Sequence, residues 1–198
     1  MEAHPAMAHA RGSGFPPVTD FSARRGEYKC GKIEAFAKLG FEPENKFISR
    51  GCVQPICDFA DSIHKSLGLP PTESLAENVI EEHLGVFAIT QEQYEAYYAT
   101  YKPTLLRNKR NVATDLCKGR EAYNFGEAKR LQFPRTFIIP TQRQQAFLNG
   151  DDNAFKKLKT EQKINRFYVA VTRTGYSTAI LWDGGEIRQG VNLWVVTN

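Results

Sequence analysis

Arginines beside glycine-containing turns are the residues of this chain whose types and spacing can do chemistry, and the chemistry is phosphate recognition. Phe167-Tyr168-Val169-Ala170-Val171-Thr172-Arg173 closes one patterned segment and leads into another. An arginine at such an edge can reach across a cleft. Its planar fork pairs two phosphate oxygens and its charge is permanent. Asn124-Phe125-Gly126-Glu127-Ala128-Lys129-Arg130-Leu131-Gln132-Phe133 is a polar, glycine-containing turn before a buried-type strand. Turns of this kind can present backbone N–H groups to phosphates. A third segment, Arg50-Gly51-Cys52-Val53-Gln54-Pro55-Ile56-Cys57-Asp58-Phe59-Ala60-Asp61, joins a turn to a helix.

Other chemistries are poorly served. Gly26-Glu27-Tyr28-Lys29-Cys30-Gly31-Lys32-Ile33 has the glycines and lysine of a phosphate-binding P-loop, but Ile33 replaces the hydroxyl that holds magnesium. The preceding Thr19–Arg25 segment carries Arg24 and Arg25 and does not read as the buried strand from which a P-loop hangs. The four histidines are scattered, and no Ser/His/Asp or Cys/His arrangement can be argued. Glu81-Glu82 and Asp151-Asp152 read as solvated carboxylates. Cys30, Cys52, Cys57 and Cys117 lack CxxC spacing and read as free thiols, so no metal site is expected.

The elements that must position these residues follow from local pattern. Val53–Leu67 places Ile56, Phe59, Ala60, Ile63 and Leu67 on one helical face and stops at Gly68 and Pro70. Gly31–Leu39 has helical spacing, with Gly40 as its stop. Gly85–Ile89 is a short buried-type strand. Thr90, with Gln93 at the capping-box position, opens a helix carrying Tyr94, Tyr97, Tyr98 and Tyr101. That tyrosine stripe reads as packing rather than base stacking. Ala122–Phe125 and Thr136–Ile139 read as strands, the second stopped by Pro140. Gln144–Leu148 and Asn153–Lys159 are short helical stretches, and Glu161–Thr172 is a longer helix. Tyr176–Trp182 is a strand ending at the turn Asp183-Gly184-Gly185, and Val191–Val196 can add a last one. Strands alternating with helices predict an α/β domain with a mostly parallel sheet flanked by helices.

The bulk numbers agree. The chain has 198 residues, 41% hydrophobic and 24% charged, with net charge +4. This suits one domain and is too short for two nucleotide-gripping domains. No apolar run reaches membrane-spanning length, and the first residues do not form a secretory signal, so a cytoplasmic setting is expected. Residues 1–25, rich in proline and glycine, read as a disordered N-terminal arm before a domain over 26–198. Charge is uneven. Leu67–Tyr101 holds six Glu and no Lys or Arg, whereas Tyr101–Arg135 holds nine Lys/Arg against three Asp/Glu. The basic segment is either a phosphate-facing surface or an ordinary solvated face.

In order and spacing the three segments resemble motifs IV, V and VI of superfamily 1 helicases of the UvrD/Rep type. The resemblance runs from about Lys29 to about Leu181 and implies the second, C-terminal RecA-like domain of such an enzyme. It implies that Arg173 is the arginine finger that stabilises the γ-phosphate. It places Asn124, Gly126, Lys129 and Arg130 on the DNA-backbone side, and Gln132 where the family usually has a glutamate near the nucleotide ribose. Arg50 stands one residue out of register from the family's nucleotide-contacting arginine, whose own position is Gly51. Arg130 replaces the family's glycine, and Thr174-Gly175 replaces a frequent Ala-Arg after the finger. The first RecA-like domain, with its P-loop and magnesium ligands, is not encoded in these residues. The resemblance therefore implies ATP and Mg only together with a partner domain, and single-stranded or duplex DNA as a partner. The alternative is a degenerate, non-catalytic DNA- or protein-binding module.

Overall fold

The computed structural model describes residues 38–41, 47–77, 82–155 and 162–195. The chain divides into two units, Met1–Lys46 and Phe47–Asn198. In the first, Lys38 is helical and Gly40 takes a left-handed φ of 82°, in keeping with a stop there. The rest of the expected Gly31–Leu39 helix, the near-P-loop, the 1–25 arm and the expected boundary at 25/26 lie outside the described residues.

The second unit is an α/β layer structure. It runs β1 (Ile48–Ser49), α1 (Gln54–Ile63), a 3-10 turn (Lys65–Leu67), β2 (Glu73–Ser74), β3 (Gly85–Ile89), α2 (Tyr94–Tyr101), β4 (Thr104–Arg107), α3 (Thr114–Cys117) and β5 (Ala122–Asn124). A second 3-10 turn (Glu127–Arg130), β6 (Phe133–Ile139), α4 (Gln142–Leu148), α5 (Gln162–Val171), β7 (Thr174–Leu181) and β8 (Val191–Leu193) complete it. Six strands form one sheet in the order β5-β4-β6-β7-β3-β8. Every pairing in it is parallel. β1 and β2 form a separate parallel pair.

Both faces of the sheet are covered, and the period of two sorts the strand residues between them. Leu106, Ala88, Ile138 and Ile180 face a cluster built from Ile56, Phe59 and Ile63 of α1, Phe147 of α4 and Phe167 of α5. Their neighbours Leu105, Ile89, Phe137, Ile139 and Ala179 face the other side, against Tyr94 and Tyr97 of α2 and Cys117 of α3. The tyrosine stripe is therefore packing at its centre: Tyr94 and Tyr97 are 1% and 0% exposed. Phe59, Phe147 and Phe167 meet edge to face, their ring centroids 6.1–6.4 Å apart. That geometry suits aromatic quadrupoles.

The helix ends have local causes. Pro55 sits in the first turn of α1, where its missing N–H costs nothing. Gly68 closes the following 3-10 turn at φ 60°. α4 carries a full capping box between Thr141 and Gln144. At α2, Gln93 does reach back to the Thr90 N–H (2.9 Å), but the helix begins after Gln93.

Candidate functional site

The three sequence segments meet at the amino end of the sheet. β6 and β7 lie side by side with Phe133 opposite Thr174. That register puts Gln132 and Arg173, each one residue before its strand, next to each other. The Phe133 N–H donates to the Arg173 carbonyl at 2.8 Å. The loop before α1 closes the third side: the Val53 N–H donates to the Gly175 carbonyl at 3.1 Å. The Gln132 side-chain amide donates to the Gly51 carbonyl at 2.7 Å, and the Cys52 thiol donates to the Thr172 carbonyl at 3.4 Å. Residues 81 and 120 positions apart thus share one small surface.

Arg173 is held from beneath. Its Nη1 donates to the Lys129 carbonyl at 3.0 Å and its Nη2 to the Thr172 hydroxyl at 3.4 Å. Its Nε is buried without a partner. A guanidinium has five N–H donors, so this one retains capacity for an anion. The 3-10 turn Glu127–Arg130 supplies the Lys129 carbonyl and is anchored by the fully buried Ala128.

The loop Arg50–Val53 is braced from β2. The Ser74 hydroxyl donates to the Cys52 carbonyl at 2.7 Å, and the Cys52 N–H donates to the Ser49 hydroxyl at 3.2 Å. Gln54 clamps the same region, accepting from the Ser74 N–H and donating to the Thr72 carbonyl. A Cβ on Gly51 would lie 3.2 Å from the Gln132 amide nitrogen, so the glycine permits this close approach.

Burial pushes the Cys52 thiol up, against opposing pulls from its Ser49 bond, the Arg173 charge and Gln132. Burial, with Cys52 as neighbour, pushes Cys57 up to about 11. Both are thiols rather than thiolates at neutral pH and are poor nucleophiles. Among the described residues no group of His, Cys, Asp and Glu can hold a metal ion, and the three described cysteines are free and buried.

The remaining sequence candidates fall elsewhere. Arg50 is exposed, and its side chain makes no hydrogen bond or ion pair among the described residues. Asn124 ends β5 at the opposite, carboxyl edge, where its N–H donates to the Glu127 carboxylate at 3.0 Å. Gly126 follows it there, with nothing within 4 Å of a Cβ placed on it. Lys129 and Arg130 bridge the two edges, and both side chains are exposed. Sequence reasoning named Thr172 and Gly175 only as neighbours of Arg173 and gave them no role. Both accept through backbone carbonyls, which carry no signature of residue type, and Thr172 also accepts through its hydroxyl.

No family model matches the chain, and no curated protein matches it in sequence. Among solved structures it is similar to the C-terminal domain of a possible DNA helicase from Lactobacillus plantarum WCFS1. That match has 12% identity and a TM-score of 0.43, covering 73% of this chain and 98% of that one. A likeness this distant leaves the functional argument to the residues.

Proposed function

We propose that this chain is the second, RecA-like motor half of a UvrD/Rep-type DNA helicase, with Arg173 as the cation offered to a nucleotide held by a P-loop-bearing half. The reading is supported by one observation above all. Segments resembling motifs IV, V and VI, distant in sequence, close on one another around Arg173, Gln132 and Gly51. An arginine finger needs such a base, because a guanidinium steered by packing and carbonyls loses little entropy when it meets phosphate.

The residues do not fit Mg-ATP by themselves. The near-P-loop has Ile33 where a hydroxyl is needed, and the described residues offer no acidic metal cluster. No hydrolysis step is assigned within this chain alone. Its contribution is a permanent positive charge at Arg173, with Lys129 and Arg130 contacting the DNA backbone.

The test is reconstitution. The chain is mixed with a polypeptide carrying a P-loop RecA-like half and with single-stranded DNA, and ATP hydrolysis is followed. Arg173→Ala is expected to lower the stimulated rate by about 10³-fold, the usual scale for an arginine finger. A rate indifferent to that change overturns the proposal.

A second reading, a non-catalytic DNA- or protein-binding module, is favoured by the use Gln132 makes of its amide. Tied to the Gly51 carbonyl, it is committed to holding the loop rather than offered to a ribose. DNA binding that survives Arg173→Ala, with no stimulated hydrolysis from any P-loop half, selects this reading.

A further inference from the structure

We propose that the crevice at the carboxyl ends of β4 and β6 is a phosphate-binding groove that takes the phosphodiester backbone of a nucleic-acid strand. The inference rests on the nucleic-acid reading above for the kind of polyanion, and on nothing about Arg173.

The topology selects the place. After β4 the chain turns outward to β5 through α3, which packs on one face of the sheet. After β6 it turns the other way, to β7, through α4 and α5 on the opposite face. Two neighbouring parallel strands whose connections diverge leave a gap outside their carboxyl ends, and ligands of open α/β sheets bind in that gap. Here the gap is a crevice of about 520 Å³. It lies at the far end of β6 from Arg173, and β6 has seven residues, which at ~3.3 Å per residue is roughly 20 Å of strand.

The lining decides the chemistry. Lys109 comes from the loop after β4, Arg143 from α4 and Arg166 from α5; no Asp or Glu among the described residues lines the crevice. Lys109 and Arg166 are exposed and have no acceptor among the described residues. Arg143 is fixed by donating from Nη1 to the Ala154 carbonyl at 3.1 Å, so its guanidinium is oriented in advance. Three cations from three separate elements, with no counter-charge among the described lining residues, form a focused positive field.

Three other cations of the basic segment are engaged within the fold. Arg120 pairs with Glu95 at 2.6 Å, Arg107 is buried, and Arg135 donates to the Glu82 and His83 carbonyls. The uneven charge of the sequence is thus partly cancelled between the acidic and basic segments, and its uncancelled part includes Lys109. Among the described lining residues the aromatic Phe155 is buried, and none carries a carboxylate for a ribose hydroxyl or magnesium. Those absences favour a backbone over a free nucleotide and predict binding indifferent to base sequence.

The experiment measures fluorescence anisotropy of labelled oligothymidylate and oligouridylate with the full chain, without nucleotide. The wild type is expected to bind both at low salt. Lys109→Gln with Arg166→Gln is expected to weaken binding about tenfold and to lower the log–log salt slope by about 1.4, at ~0.7 per lost phosphate contact. The charge-matched control, Lys102→Gln with Lys118→Gln, is expected to stay within about twofold. Near-ultraviolet circular dichroism checks that each variant is folded. Equal weakening in the control overturns the groove, since bulk charge then explains binding. So does displacement of the strand by equimolar inorganic phosphate or ATP, which would assign the crevice to a small phosphate ligand. Loss confined to a Lys129→Gln, Arg130→Gln variant also overturns it, while leaving the motor reading intact. Absence of binding by the wild type at low salt overturns it outright.

Discussion

Gln132 donates its amide to the Gly51 carbonyl at 2.7 Å. A glutamate there, as in the helicase motif it resembles, has no proton to donate at neutral pH and sets one acceptor against another. Gln132→Glu is therefore expected to destabilise the chain by about 1 kcal/mol relative to Gln132→Met, which removes the bond without adding repulsion. Urea midpoints measure the difference, and equal midpoints would refute it. His83 makes a second residue-scale case. Its ring is stacked between Phe87, at 3.6 Å, and Tyr101, at 4.0 Å, with Nε2 3.0 Å from the Tyr97 hydroxyl. Burial, and then the nearby Arg135 charge, lower its pKa from 6.5 to about 4. On acidification the unfolded chain takes up this proton first. Stability from His83 is thus fully present above pH 6.5 and falls as pH drops from there toward about 4. His83→Asn keeps a residue tolerant of the positive φ of 67° and is expected to flatten that slope, as urea midpoints against pH would show.

At the scale of elements, two glycines test which turns are conformationally demanding. Gly85 opens β3 at φ 113°, and a Cβ there would lie 3.3 Å from Pro55 at the start of α1. Gly85→Ala is expected to cost about 1–3 kcal/mol, because an L side chain is strained there even before it meets the helix. Gly126 has φ −73° and open space around it. Gly126→Ala is expected to leave stability unchanged or raise it by about 0.4–1 kcal/mol. Thermal unfolding compares the two, and the reverse order would show that the strand entry is not strained. Pattern reading worked where an element carries its own signal. Gly85–Ile89 is a strand over the expected residues, and α1 buries the expected Ile56, Phe59, Ala60 and Ile63. The expected helix to Leu67 is corrected: α1 ends at Ile63, and Leu67, in the 3-10 turn that follows, is 59% exposed, because that turn swings it off the apolar face. Pattern reading missed β4, whose apolar content is Leu105 and Leu106 between Pro103 and Arg107. A strand buried on both faces shows no alternation, and this one ends in an arginine. Arg107 is 9% exposed and is accommodated by donating to the Val112 carbonyl at 3.0 Å, a contact that no local pattern announces.

For the whole molecule, the relevant prediction is a lack of activity. The 198-residue protein alone is expected to give no ATP hydrolysis above background, with or without single-stranded DNA, because its near-P-loop lacks the magnesium hydroxyl. Robust hydrolysis by the purified chain, abolished by Lys32→Ala, would overturn that expectation. The two edges of the sheet also divide the proposed labour. The amino edge holds Arg173 against the Lys129 carbonyl, and the carboxyl edge opens the groove lined by Lys109, Arg143 and Arg166.

From the amino-acid sequence alone came the α/β class, most of the elements, the three arginine- and glycine-bearing segments and the incomplete P-loop. Each of these is written in local spacing: a period of two or 3.6, a glycine or proline stop, a missing hydroxyl. The strand order, the meeting of Gly51, Gln132 and Arg173, and the choice of which cations pair internally and which line the crevice belong to the tertiary structure. Parallel strands pair only through long crossovers, so neighbours in the sheet are distant in the chain. Which side chains share a surface is therefore decided when both faces of the sheet are buried, not by the spacing of residues along it.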